Sequence, residues 1–288
     1  MATQSKNITI VLLIISSDKT QLTTFCGKKA YLVYLTIINI PKHIHHKPSQ
    51  QSQVLLAYLP TSTLRHITNK ASHHQCLSNL FHHCMQYIVK PMESAGHDGI
   101  LLISSDGAVR RCFPILAAYV GDYLEQTLVM LVKNGNCPIC PASRENIGDW
   151  ESKLEPRNMQ KIIKALNSVD RGATKFSKAC AEVGIKPVQC VFWKNLPFVD
   201  IYCSITPDIL HQLYQGILKH LISWIQAACG DTEIEAQCHH LPPNHHIQLF
   251  MKGICHLSHV TGIEHDQISR FLLALVVDIH LPDGHSNA

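Results

Sequence analysis

Apolar residues arrive in three early runs, each closed by a polar or helix-breaking signal. Residues 7–15 are rich in Ile, Val and Leu and lead directly into Ser16-Ser17-Asp18. Their β-branched bias predicts a strand. Residues 31–40 (YLVYLTIINI) predict a second strand, separated from the first by a turn holding Gly27 and Lys28. It stops at Pro41, which has no N–H to give a ladder. Residues 52–59 (SQVLLAYL) predict a third, ended by Pro60. Such short connections predict an antiparallel meander. The period then changes: Leu77, Leu80, Met85 and Ile88 follow helical spacing within residues 63–92, before a break at Gly96 to Gly99. Residues 99–104 (GILLIS) precede Asp106-Gly107, a strong hairpin signal. A strand over 109–120 then delivers Gly121-Asp122.

Beyond this point the pattern is less regular. Residues 137–199 read as an insertion with one helix over 158–168, and helices are expected over 207–228 and 263–277. Asn244-His245-His246 reads as a connecting loop, and no internal repeat or low-complexity tract is present. Three strands, a helix, then further strands, with an aspartate closing the first and a later strand, outline an α/β ribonuclease-H-like fold. In that fold a mixed sheet flanked by helices places two acids side by side at adjacent strand ends, and a late helix brings a third. The expected division is 1–136 for the N-terminal part of the core, 137–200 for the insertion, and 201–288 for a helical part completing the core.

Composition adds limits. Of 288 residues, 46% are hydrophobic, which is ordinary for a globular core and too high for disorder. No apolar run approaches the roughly 20 residues that cross a bilayer. The N-terminus lacks the pattern of a signal peptide, so a soluble intracellular protein is expected. The net charge of +4, with 20 histidines, permits an anionic partner, although the basic residues are scattered. The compact spot from Lys42 to Lys47 (KHIHHK) is the best local phosphate contact, and a solvated loop explains it equally well. Ten of the twelve cysteines stand singly, many in apolar stretches where a thiol behaves as a small hydrophobe.

Chemistry concentrates at few positions. Asp18 and Asp122 each follow an apolar strand, where a carboxylate suits a hard cation such as Mg²⁺; a turn or cap aspartate is the plainer explanation of either alone. Two-metal sites hold their ions about 3.5–4 Å apart. Glu264 is the first candidate for a third acid, Asp208 its competitor, and Glu125 and Asp106 weaker ones; a Glu near a helix start commonly just balances the helix dipole. Cys137-Pro138-Ile139-Cys140 has the gap that lets two thiolates reach one Zn²⁺, although a redox pair or two unremarkable thiols fit as well. Histidine would have to complete such a site, with His211 first and His239, His240, His245 and His246 as further candidates. His73-His74 and His82-His83 lie on helical sequence and read as surface residues. No phosphate-cradling glycine loop, HExxH or GxSxG occurs.

Several segments resemble the Plavaka transposases of basidiomycete fungi: SDKTQLTTF (17–25), YLVYLTIINIPKHIHHKPS (31–49), LLAYLP (55–60) and DGAVRRCFPILAAYVGDYLEQ (106–126). CPIC, FWKNLPFVDIYCSITPDILHQLYQG (192–216) and TGIEHDQISRFLLAL (261–275) continue the resemblance in the same order. That family is similar to the CACTA-like group, which joins a DDE catalytic core to a CxxC insertion and a downstream Asp-x-x-His. The resemblance implies metal-dependent DNA cleavage and strand transfer in the nucleus, with Mg²⁺ or Mn²⁺ at Asp18, Asp122 and Glu264. It also implies a structural Zn²⁺ at Cys137, Cys140 and His211 with Asp208 nearby. The expected partners are DNA, both transposon ends and target, and further copies of the chain, with no membrane. Lys42, Lys47, Arg110 and Arg111 are the candidate DNA contacts. The chain departs from the family pattern at Leu32 and Leu124, where prolines are expected, at Ile38 (glycine), and at His45 and His46 (arginines). A neutral imidazole lacks the guanidinium fork that grips a phosphate. These departures, and a start almost at the first strand, predict a truncated and drifting transposon copy. The competing expectations are a catalytically inactive or domesticated DNA- or protein-binding remnant, and a zinc-stabilised interaction module.

Overall fold

The computed structural model describes residues 8–23, 27–45, 47–133, 135–142, 144–147, 149 and 155–277. His46, Phe25, Asn7 and part of the charged stretch 145–157 therefore lie outside the described residues. The chain divides into two compact units, Met1–Thr206 and Pro207–Ala288.

The first unit is built on a mixed five-stranded sheet in the order β3-β2-β1-β5-β4. Its strands are β1 (Ile8–Gln21), β2 (Lys29–Ile37), β3 (Val54–Tyr58), β4 (Ile100–Ile103) and β5 (Val109–Val120). β1, β2 and β3 form the expected antiparallel meander, and β4 pairs antiparallel with β5 across the Asp106-Gly107 turn. β1 and β5 pair in parallel, from Ile8 opposite Arg111 to Ser16 opposite Val120. A short helix, α1 (Lys42–His45), lies between β2 and β3, and α2 (Lys70–Asp98) joins β3 to β4.

Two boundaries differ from expectation for clear reasons. β1 runs six residues beyond Ile15 because Asp18 to Gln21 keep pairing with β2, Asp18 opposite Leu32 and Gln21 opposite Lys29. All four are exposed, so no apolar alternation marks this extension. α2 begins later than expected and runs through Pro91 and Gly96 to Asp98. Pro91 costs the helix one N–H bond, but it lies on the solvent face, where the freed carbonyl meets water. Gly96 is buried against β5: a Cβ there would stand 2.9 Å from the Pro114 carbonyl oxygen and 2.5 Å from the Pro197 ring.

The core lies between one face of the sheet and the helices. Leu13, Ile15 and Ser17 alternate inward from β1, and Tyr31 and Val33 from β2. α2 lays Ser78, Phe81, His82, Met85 and Val89 on them at helical spacing. The segment expected as an insertion shares this core. Its helices α4 (Met159–Leu166) and α5 (Ala173–Glu182) contribute Ile162, Leu166, Phe176 and Cys180, and the following stretch contributes Phe192 and Trp193. Trp193 Nε1 donates to the Val129 carbonyl at 2.8 Å, so the indole is buried without an orphaned donor. Past α6 (Ile201–Ser204), Ile205 makes a parallel bridge to Tyr119.

The second unit is helical. A π-helix (Ile209–Leu218) runs on into α7 (Lys219–Cys229), followed by α8 (Asp231–His240) and α9 (Gly262–Val276). They enclose a core of Ile234, Cys238, Phe250, Ile268, Phe271 and Leu275. Among the described residues no helix is long and apolar enough to cross a membrane.

His82 corrects the surface expectation. It is fully buried, stacked on Phe192 with ring centroids 5.5 Å apart, and it donates from Nε2 to the Leu128 carbonyl at 3.0 Å. The carbonyl can only accept, so Nδ1 is bare, and it has no hydrogen-bond partner. Burial lowers the imidazole from its ordinary 6.5 to about 4. The unfolded chain therefore binds this proton where the folded one does not. Its contribution to stability is present above pH 6.5 and lost as pH falls through about 4. Denaturant unfolding of His82→Gln should show a flatter dependence over that window, by on the order of 3 kcal/mol at most. An unchanged slope would show that His82 is not the group responsible.

Candidate functional site

The parallel pairing of β1 and β5 ends at Ser16 opposite Val120, and each aspartate follows two residues later, Asp18 still within β1 and Asp122 past the end of β5. Adjacent strands lie about 4.8 Å apart. The closeness persists past the last pair, since a Cβ on Gly121 would stand 3.7 Å from the Ser17 carbonyl oxygen. Carboxyl ends of parallel strands are where open α/β sheets bind ligands. Asp18 faces away from the core, exposed, and its Oδ2 accepts from Thr20 Oγ1 at 2.6 Å. Asp122 is the N-cap of α3 (Tyr123–Val129), where its Oδ1 accepts from Glu125 N–H at 2.7 Å.

Beneath this edge lies a polar cluster that the sequence pattern did not reveal. Asp122-x-x-Glu125 has capping-box spacing, which predicts an exposed Glu125 reaching back toward the cap. Glu125 instead turns into the core and is buried. Tyr31 Oη donates to its carboxylate at 2.7 and 2.5 Å, and Ser17 Oγ donates to Oε1. Tyr119 Oη meets Ser17 Oγ at 2.5 Å and reaches Oε1 at 3.4 Å. Burial raises the Glu125 carboxyl above its ordinary range, and the hydroxyl hydrogen bonds partly offset this. Burial, reinforced by Glu125, also raises the Tyr31 and Tyr119 phenols. Inward alternation of Tyr31 with Val33 was the signal available; nothing local indicated the partner.

The other expected residues fall in separate places. Cys137 and Cys140 are half-buried on one loop, with Cys140 N–H pointing at Cys137 Sγ at 3.4 Å. Arg157, nine-tenths buried, organises this loop. Its Nε and Nη2 donate to the Cys137 carbonyl at 3.3 and 2.9 Å, and its Nη1 to the carbonyls of Val183 and Gly184 at 3.2 and 3.4 Å. Its own N–H bonds the Ile139 carbonyl at 2.9 Å. Burial pulls the guanidinium down from its ordinary value and pushes the Cys140 thiol up.

Asp208 and His211 lie in the second unit and are hydrogen-bonded to one another through His211 Nδ1. Asp208 also caps the π-helix, accepting from the N–H groups of Leu210 and His211 at 3.1 and 2.9 Å. Glu264 forms a capping box with Thr261: its Oε2 accepts from Thr261 N–H at 2.8 Å and Oγ1 at 2.9 Å. Those bonds lower the Glu264 carboxyl from its ordinary value. Asp106 holds Arg110 in an i,i+4 ion pair at 2.6 Å, and Arg111 donates to the Asp98 carbonyl at 2.8 Å. Lys42 and Lys47 are exposed.

The donors present can be weighed against the expected metals. Asp18, within β1, and Asp122, just past β5, carry the donor type of Mg²⁺, which is commonly bound by one or two carboxylates plus waters. The CxxC loop offers two soft donors, half of a tetrahedral zinc set. Among the described residues no three His, Cys, Asp or Glu side chains are gathered to hold a metal ion.

Asp18 on β1, Asp122 just past β5 and the CxxC loop all belong to the first unit. The sequence profile of the Plavaka transposase family matches residues 1–225, and the chain belongs to that family. No curated protein sequence matches it.

Arg157 supplies a test of the loop architecture. Arg157→Lys leaves the carbonyls of Cys137, Val183 and Gly184 with a single-point donor in place of a fork. It should lower stability by about 2 kcal/mol and speed labelling of the Cys137 thiol, read by denaturant unfolding and a thiol-reactive dye. Unaltered stability and labelling would show that the guanidinium is dispensable to the loop.

Proposed function

We propose that this chain is the catalytic core of a DDE-type transposase with a ribonuclease-H-like fold, acting in the nucleus on transposon ends and target DNA. The observation that carries the reading is the register: Asp18 and Asp122 follow the last β1–β5 pair by the same two residues. The order of meander, long helix and parallel fifth strand supports the fold, as does the further parallel bridge from Ile205 to Tyr119. Mg²⁺ or Mn²⁺ held by the two aspartates would activate the attacking hydroxyl and steady the leaving oxygen. Multimers of the chain would pair the DNA ends. Lys42 and Lys47, both exposed, are the stronger phosphate contacts, since Arg110 is held by Asp106 and Arg111 by the Asp98 carbonyl.

The zinc reading rests on Cys137 and Cys140, two thiol donors on one loop of the first unit. A second functional reading, a protein that binds DNA and does not cut, is favoured by one observation. The Asp122 and Glu264 carboxylates both already serve as helix caps.

Cleavage of labelled transposon-end DNA with Mn²⁺ separates the two. The unmodified protein should cut, and Asp18→Ala and Asp122→Ala should each fall by more than about 100-fold. Equal cutting by all three would mean the acids are wrongly assigned. No cutting with DNA binding retained would favour the second reading. For the loop, about one zinc per chain should be bound and lost in the double variant Cys137→Ser, Cys140→Ser. Metal content that survives both substitutions would remove the site.

A further inference from the structure

We infer that Glu125 is a positioning residue whose buried carboxylate ties β1, β2 and β5 to α3 and so sets the spacing and aim of Asp18 and Asp122. The inference rests on the two-acid reading proposed above and deepens it. Ser17, which precedes Asp18, donates to Glu125. Tyr31, opposite Lys19 in the β1–β2 ladder, donates to both carboxylate oxygens at 2.7 and 2.5 Å. Tyr119, three residues before Asp122, closes the cluster through Ser17 at 2.5 Å. Glu125 N–H bonds Asp122 Oδ1 at 2.7 Å, so one residue holds the Asp122 carboxylate by its backbone and the strand carrying Asp18 by its side chain.

Stability alone is a poor explanation of this carboxylate. A buried acid answered only by hydroxyls carries a desolvation cost, and replacing buried charge by an apolar group is often neutral or stabilising. A satisfied buried polar network does something an apolar core does not: it admits one arrangement of the elements it joins. The local backbone is shaped for the same bond. Gly121 faces the Glu125 stem, and a Cβ there would lie 2.7 Å from its Cγ and 2.9 Å from its Cβ. An ordinary capping box at Asp122 would leave Glu125 outside and the two strand ends unlinked.

The test reads Mn²⁺ affinity by electron paramagnetic resonance on the full chain, with thermal unfolding alongside. Outer groups that orient metal ligands typically account for 10- to 100-fold in affinity. Glu125→Met should bind Mn²⁺ at least about tenfold more weakly with little change in unfolding temperature, and Glu125→Gln, which keeps an acceptor for the hydroxyls, should recover most of it. Tyr31→Phe preserves shape and removes one donor, so it carries the test if the methionine variant does not fold; about threefold weaker binding is expected. Tyr31→Phe should add nothing in the Glu125→Met background, since both act through one network. Asp18→Asn distinguishes the levels. If the unmodified protein shows no Asp18-dependent Mn²⁺ binding, the two-acid reading fails and this inference with it. If binding depends on Asp18 but is the same in Glu125→Met and Tyr31→Phe, the positioning role alone is overturned. A fall in unfolding temperature with unchanged affinity also overturns it.

Discussion

The parallel pairing of β1 with β5 is the constraint on which the rest of the first unit depends. Parallel neighbours cannot be joined by a tight turn, so the chain must cross over before returning. The intervening β2, β3, α1, α2 and β4 make that crossover, and α2 covers one face of the sheet along the way. The pairing also decides position, because parallel strands run toward the same end of the sheet. Asp18 and Asp122, more than one hundred residues apart in sequence, each follow the last pair by two residues as a consequence. An antiparallel pairing of the same two strands would have put them at opposite ends.

What holds that edge in shape is polar rather than apolar. Most of the core is ordinary packing of Ile, Val, Leu, Met and aromatic side chains, which tolerates small shifts between elements. At the end of β1 the packing gives way to Ser17, Tyr31, Tyr119 and Glu125, where directional hydrogen bonds replace shape. His82 and Arg157 follow a related logic elsewhere in the unit. Each is a polar side chain in the interior whose partners are backbone carbonyls, and each sits where loops or helices must meet in one way.

Much was legible in the chain itself. Meander, hairpin and the principal helices were readable because β-branched runs, prolines and the Asp106-Gly107 turn act locally, within a few residues. Asp18 and Asp122 were legible as acids that follow apolar runs, and Cys137 and Cys140 as a CxxC pair. Less legible was anything whose cause lies across the fold. α2 passes Pro91 because its other face is anchored in the core, and β1 outlasts its apolar pattern because β2 pairs with it. Glu125 follows a motif that predicts exposure and is buried. Histidines read as surface residues include His82, which is enclosed by Phe81 and Phe192.

By itself, then, the sequence determined which segments become strands and helices and which residue types stand at their ends, since hydrophobic period and turn chemistry are short-range. It also carried the family resemblance, which is a matter of residues in order. Only the tertiary structure decided that β1 and β5 are parallel neighbours in register, that Glu125 turns inward to three hydroxyls, and that Arg157 reaches the CxxC loop. These are long-range choices, made by which faces can be buried together and which buried polar groups can find partners. No window of sequence contains both halves of either choice.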